Sequence, residues 1–371
     1  MRVLLLSRYA RRGPSSRIRC YQYIEHLRAH SVDVTSAPFL DDDYVKSFVS
    51  DGTRHSNHIV AAFLRRLRWL LRARRYDLLW MQYEALPWLP DVVERALTPA
   101  GVPYVVDYDD AQFHRYDRHP AAAVRSLLGS KLDHVMSRAA VVVAGNEYLA
   151  SRARAARAPD IEIVPSGVDV TRYSAVWRRR LHTPFTIGWI GSPISTHYLS
   201  LIAEPLRRFC RAVSARVVLI GAGECDLPGV PVERIAWDEA TEGEQLERFD
   251  VGIMPLTNGP TELGKCGFKL IQYMASGRPV IASAVGANLQ IVTHGETGFL
   301  VSSADDWVGA LQALAASPDL RQRMGAAGRR RAEREYSTTV IGDRLLRVFQ
   351  RAVGVPAGRP AETGVNQEEP Q

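Results

Sequence analysis

Short unbroken apolar runs alternate with longer amphipathic stretches along this chain. The runs predict buried strands at Val3 to Leu6, Val32 to Thr35, Asp77 to Trp80, Pro103 to Val106, Val141 to Ala144 and Ile161 to Pro165. Between the first two, Ile18, Tyr21, Ile24 and Leu27 recur at helical spacing behind a Ser15-Ser16 cap. A further helix is predicted through Val92 to Leu97. After the last of these strands an Arg-rich, weakly patterned stretch runs to about Pro184, and then the rhythm restarts. Strands are predicted at Phe185 to Ile190, Arg216 to Ile220, Val251 to Pro255, Pro279 to Ala282 and Phe299 to Val301, with helices filling 304–352. Two successive sets of βα units imply an α/β chain with two Rossmann-like, doubly wound domains facing each other across a cleft. The expected boundaries are 1–170 for the first domain, 171–184 for a linker and 185–335 for the second. Residues 336–353 form a C-terminal helix returning to the first domain, and 354–371 a Pro-, Gly- and Glu-rich disordered tail.

One stretch stands apart. Gly264 to Gly277, followed by Arg278, Pro279, Val280 and Ile281, reads as a turn, a short buried helix, a stop and a strand. Its polar residues Lys265, Lys269, Gln272 and Ser276 recur at four, three and four residues, which predicts one helical side. Lysines at a helix start oppose the macrodipole, so a bound anion there would offset the repulsion. Composition sharpens this. The chain holds 47 Lys plus Arg, yet only four are lysines, Lys46, Lys131, Lys265 and Lys269, and two of these fall here. A compact ammonium and a forked guanidinium are physically distinct choices. Two solvated lysines on a surface helix are the alternative.

The net charge of +7 is concentrated rather than spread. Residues 54–75 contain seven arginines and no acid. Within 56–75, Ile59, Val60, Phe63, Leu64, Leu67, Leu70 and Leu71 are expected on one helix face. Arg65, Arg66, Arg68 and Arg72, with Trp69 among them, are expected on the other. That is the make-up of an interfacial membrane helix, and equally of a core-packed helix with a solvated back. No nucleic-acid motif accompanies the charge. The four cysteines show no paired spacing, against a disulfide framework or a zinc motif and in favour of a reducing compartment. The apolar run at the start is too short for a signal peptide or a span.

Candidate chemistry collects at strand ends, where doubly wound sheets hold ligands. The fourth predicted strand ends in Asp107, Tyr108, Asp109 and Asp110, with His114 beyond. Arg17 and Arg19 flank the first helix start, as anion ligands or as surface charges. Gly221 and Gly223 supply half of a dinucleotide fingerprint, but Asp226 stands at the third glycine position, so a nicotinamide cofactor is not expected.

With Gly13-Pro14-Ser15-Ser16-Arg17, Pro165 to Asp169, Gly188 to Ser192, Met254 to Leu256 and above all Met274 to Ile281, the chain to about residue 350 resembles the GT-B glycosyltransferases, specifically the large retaining family four. It departs from the family's pair of glutamates separated by seven residues, where it has Gly264 and Gln272. Ser192, Ser195, Thr196 and His197 occupy the region of the family's Arg and Lys, and Asp109 stands where a histidine is frequent. The resemblance implies sugar transfer from a nucleotide diphosphate sugar to an acceptor hydroxyl, with retention. The first domain would hold the acceptor and the second the donor. Lys265, Lys269, Asp109 and His114 are the catalytic candidates. Gly191, Ser192, Thr196, His197, Cys266, Gly267 and Gln272 are the donor-binding candidates. Ser15, Arg17 and Asp110 fall to the acceptor or phosphate side. No metal and no cofactor beyond the sugar nucleotide are expected. The acceptor is left open between a lipid-linked molecule and a small natural product, and the location is expected to be cytoplasmic, with peripheral membrane contact through 56–75. A non-catalytic sugar-nucleotide-binding partner subunit and a nucleotide-sugar epimerase are the rival readings.

Overall fold

The computed structural model of the protein describes residues 1–44, 56–174 and 184–354. Lys46, most of the expected linker and all but the first residue of the expected tail lie outside the described residues.

Two six-stranded parallel sheets dominate. The first has the order β2-β1-β3-β4-β5-β6, built from β1 (Arg2–Leu6), β2 (Asp33–Ser36), β3 (Leu78–Gln82), β4 (Tyr104–Tyr108), β5 (Val141–Ala144) and β6 (Ile161–Ile163). The second has the order β12-β11-β10-β7-β8-β9, from β7 (Phe185–Ile190), β8 (Ala215–Ile220), β9 (Val232–Ile235), β10 (Val251–Met254), β11 (Val280–Ser283) and β12 (Gly298–Val301). The central strands are apolar on both faces because helices cover both, which is why they read as unbroken hydrophobic runs. Strand β9 was not visible in the hydrophobic pattern. It is an edge strand with alternating exposure, and Glu233 and Arg234 interrupt its apolar residues.

Chain order reverses between β1 and β3 in one sheet and between β7 and β10 in the other. Ligand crevices form at such switch points, outside the carboxyl ends of the strands. The segments after β4 and β5 meet the segment after β10, and the segment after β1 meets the segment after β9.

The chain crosses between the sheets twice, and the two crossings are bonded together. Val168 N–H donates to Tyr336 O at 2.7 Å, and Thr338 N–H donates to Val168 O at 3.0 Å. Beyond this the helix Thr338–Ala352 lies on the first sheet. Its Ile341, Leu345, Val348 and Phe349 share a core with Val3, Leu5 and Trp80, and Phe349 meets Trp80 edge-on at 5.1 Å. The spacing of those four residues is one helical stripe.

Two local expectations change. The first helix is Pro14–Arg19, with Gly13 rather than a serine at its cap, and it breaks at Cys20 into a 3-10 turn over Tyr21–Tyr23. Ser15 and Ser16 use their hydroxyls on tertiary partners instead. The helix Ser56–Arg72 is also rotated relative to the simple apolar-in assignment. Its buried stripe is Ala62, Arg66 and Leu70, continued by Ala73, while Val60, Leu64 and Leu71 are exposed at 60, 54 and 71%. Arg66 donates to the Ser7 carbonyl at 2.7 Å, and Arg65 donates to the Phe39 carbonyl at 2.9 Å and pairs with Asp41. The Ser7 carbonyl, which also accepts Phe39 N–H at 2.9 Å, uses its second lone pair on Arg66, and the Phe39 carbonyl accepts from Arg65. Burial pushes the Arg66 guanidinium down to about 9. Trp69 packs against the core rather than standing among outward arginines.

Candidate active site

The first wall of the cleft is organised by a buried ion pair. Arg19 Nε donates to Asp107 Oδ1 at 2.8 Å, and its Nη1 caps the Val164 carbonyl at 2.9 Å. Burial pushes Asp107 up while Arg19 opposes it. Strand periodicity then places Asp109, two residues on, toward the same side. Asp109 accepts from the Tyr83 hydroxyl and from Ser15 Oγ at 3.1 Å. Burial again raises its pKa, with Arg19 the main opposing influence. Tyr83 holds a left-handed backbone, φ 66°, a conformation that costs a bulky residue about 1–3 kcal/mol and tends to persist at functional sites. It is fixed by Tyr83 N–H donating to Asp107 O at 3.0 Å and by Tyr108 OH donating to Tyr83 O at 2.8 Å. No sequence signal pointed to Tyr83.

The second wall is the stretch around Gly264. The short helix Pro260–Leu263 leads through Lys265 and Cys266 to Gly267, whose φ of 64° turns the chain into the helix Phe268–Ala275. Lys265 therefore precedes the helix, and the expected four-residue seam on one helix side is broken there. Gly267 caps without a side chain, and no acid occupies the first turn. Lys269 Nζ sits 5.4 Å from the centre of the Trp189 ring, and Lys265 Nζ sits 5.8 Å from that of Tyr198. Burial, then the charge of Lys265, lowers Lys269 to about 8. Among the described residues, neither lysine has a carboxylate within ion-pair distance. Gly191 closes on the Lys269 stem, since a Cβ there would lie 2.7 Å from Lys269 Cε.

The walls touch. Asn146 donates to the carbonyls of Leu263 and Lys265, both at 3.0 Å, and Cys266 Sγ donates to Asp109 O at 3.1 Å. Farther along, Arg17 donates to Glu239 at 3.0 Å and lies 4.6 Å over the Trp237 ring. Lys265, Asp109 and Asp110 are thereby brought to one place. Burial raises Asp110, with Lys265 the first opposing charge.

Other candidates are placed elsewhere. His114 has both ring nitrogens engaged, Nδ1 with Asp117 at 2.9 Å and Nε2 with Tyr148 OH at 2.7 Å, so it buttresses a helix in the first domain instead of facing the cleft chemistry. Gln272 is buried, and its Nε2 donates to Glu242 at 2.9 Å and Tyr173 at 3.3 Å, so its two N–H groups are already engaged. Thr196 accepts from Gly223 N–H at 2.9 Å and so orders the loop after β8. His197 is exposed, with Nδ1 donating to Ile194 O at 2.8 Å, and Ser192 is exposed beside it. Glu262, two residues before Gly264, also lies at this wall, with no motif in the sequence to mark it. Its carboxylate accepts from Tyr198 OH and is close enough to Asp110 to help raise it.

Residues 184–317 match the family model described as glycosyl transferases group 1. The match covers most of the second domain. The chain as a whole has the GT-B fold. It superposes on sucrose-phosphate synthase from Thermosynechococcus elongatus with a TM-score of 0.70 at 17% identity, over 95% of this chain and 99% of that one. HepE from Anabaena, solved in complex with UDP-glucose, gives 0.69 at 14% identity, over 94 and 99%. In sequence, the phosphatidyl-myo-inositol mannosyltransferase of Mycobacterium tuberculosis (strain CDC 1551 / Oshkosh) is 27% identical over 212 residues, 52% of this chain and 54% of the relative. The chain thus spans about half the length of the curated relatives it matches. Among the described residues no helix is long and apolar enough to cross a membrane.

Proposed function

We propose that this GT-B protein transfers a sugar from a nucleotide diphosphate sugar to an acceptor hydroxyl, with retention of anomeric configuration. The observation that carries the proposal is the pair Lys265 and Lys269. A buried Lys269 ammonium with the positive charge of Lys265 nearby, beside a helix start that no side chain caps, costs stability unless an anion joins them. As the glycosidic bond breaks, negative charge builds on the diphosphate, and preorganised cations there lower the barrier. Proton transfer from the acceptor is left to the departing phosphate oxygen. Asp109, aligned by Tyr83 and Ser15, stabilises the sugar cation or orients the acceptor across the cleft. Glu262 faces the donor sugar hydroxyls as the carboxylate that Gly264 cannot supply.

The acceptor hydroxyl is presented at a lipid surface. Support comes from the exposed Val60, Leu64 and Leu71, with Arg68 and Arg72 exposed on the same helix, and from the phosphatidyl-myo-inositol named in the relatives.

A panel of nucleotide diphosphate sugars, screened by thermal shift and then by product formation, tests the reading. Lys265→Ala is expected to lower turnover by about 100-fold or more with the fold intact. Near-normal turnover in that variant, or stabilisation by no sugar nucleotide, would overturn it.

A further inference from the structure

Away from the cleft, the crossing helix Thr338–Ala352 meets the helix Ile24–Ala29 of the first domain. His26 and His30 are four residues apart, so one helical turn stacks them. Their rings lie 4.6 Å apart with 35° between planes. Asp343 approaches from the other helix, Oδ1 at 2.9 Å from His26 Nε2. Its neighbour Gly342 makes the approach possible, because a Cβ there would fall 2.4 Å from His26 Cδ2. One nitrogen of each ring and one carboxylate oxygen all lie within 4.8 Å of one another.

We infer that His26, His30 and Asp343 form a binding site for a divalent transition metal, best suited to Zn²⁺, which clips the crossing helix to the first domain. Two imidazoles and a carboxylate suit this class of ion, and water completes a tetrahedron. Zn–ligand bonds of about 2.0–2.2 Å put ligand atoms about 3.3 Å apart. A turn of the exposed His30 ring and a slight parting of His26 from Asp343 reach that spacing. The second shell is in place on one side: His30 Nδ1 donates to the His26 carbonyl at 2.8 Å, which holds the proton there and leaves the lone pair on Nε2. On binding, the metal takes the position between His26 Nε2 and Asp343, with the neutral imidazole carrying its one N–H on Nδ1. The clip fastens the segment directly after the second interdomain crossing at Tyr336. None of the three residues belongs to the transfer chemistry, so the site stands or falls independently of it.

The test is calorimetric titration of the chelator-stripped full chain with Zn²⁺, together with the melting temperature with and without the ion. One equivalent should bind and raise the melting temperature. His30→Ala and Asp343→Asn should each weaken binding by more than about tenfold and abolish that rise, whereas His294→Ala should do neither. His30 is exposed and outside the His26–Asp343 ion pair, so His30→Ala keeps the fold and is the deciding variant. Failure of the parent protein to bind Zn²⁺ at micromolar concentration, or binding by His30→Ala equal to the parent's, would sink the inference and leave the pair as an ordinary ion pair.

Discussion

Gly264 rests directly on Ala111 across the cleft. A Cβ at 264 would stand 2.5 Å from the Ala111 Cβ and 2.7 Å from its backbone nitrogen. The glycine in place of a family glutamate is thus a packing requirement of two touching domains. Its φ of −75° is open to any residue, so contact alone excludes a side chain.

Restoring the glutamate is therefore expected to harm the protein. Gly264→Glu should lower stability by about 1–3 kcal/mol through overpacking and should lower activity, since the walls would be pushed apart. Denaturant unfolding and turnover measured on the same sample check both. A more active Gly264→Glu protein would contradict the contact.

Lys269 gives a pH signature. Its folded pKa, about 8, lies below the ordinary lysine value, so above about pH 8 the unfolded chain holds the extra proton. The sign follows: this lysine's cost to stability is fully present below about pH 8 and fades as pH rises toward the ordinary lysine range. A diphosphate reverses the preference and favours the ammonium. Nucleotide diphosphate affinity should then fall as pH rises through about 8, by up to about tenfold per unit. Lys269→Arg should flatten the profile, measured by titration calorimetry between pH 7 and 9.5.

Asp109 and Glu262 should separate kinetically. Asp109→Asn should reduce kcat about 100-fold with little change in donor affinity, because its role is played as the sugar bond breaks. Glu262→Gln should act mainly on the donor, raising KM or lowering discrimination between sugar epimers. Donor-affinity loss as the main effect of Asp109→Asn would move that residue to the donor side.

The helix over 56–72 yields a paired test. Leu64→Ser with Leu71→Ser, or Arg68→Glu with Arg72→Glu, should abolish co-flotation with anionic vesicles and spare the fold, since these side chains point outward. Arg66→Ala should instead destabilise, because it removes a fully buried side chain that bonds the Ser7 carbonyl and leaves a cavity beneath the helix. Unchanged flotation in both double variants would remove the membrane role.

Local pattern carries much of this protein. Continuous apolar runs of strand length recur between helical stretches, and burial on both faces of a parallel sheet produces such runs, so two doubly wound domains were legible from periodicity. The Lys265 to Gly277 stretch was legible too, because a cationic helix start without an acid is unusual chemistry at any location. Three things required the tertiary structure. Edge strand β9 has a weak signal, since one side of an edge needs no apolar cover. The orientation of the arginine helix depended on bonds from Arg66 and Arg65 to the carbonyls of Ser7 and Phe39, which no helical wheel contains. The pairing of Gly264 with Ala111 and of Asp109 with Cys266 joins residues more than 150 positions apart. Sequence determines which residues can bear charge, cap a helix or fill a core. Only the closure of one domain on the other decides which of them share a cleft, because contact across it is set by backbone approach and not by any local preference.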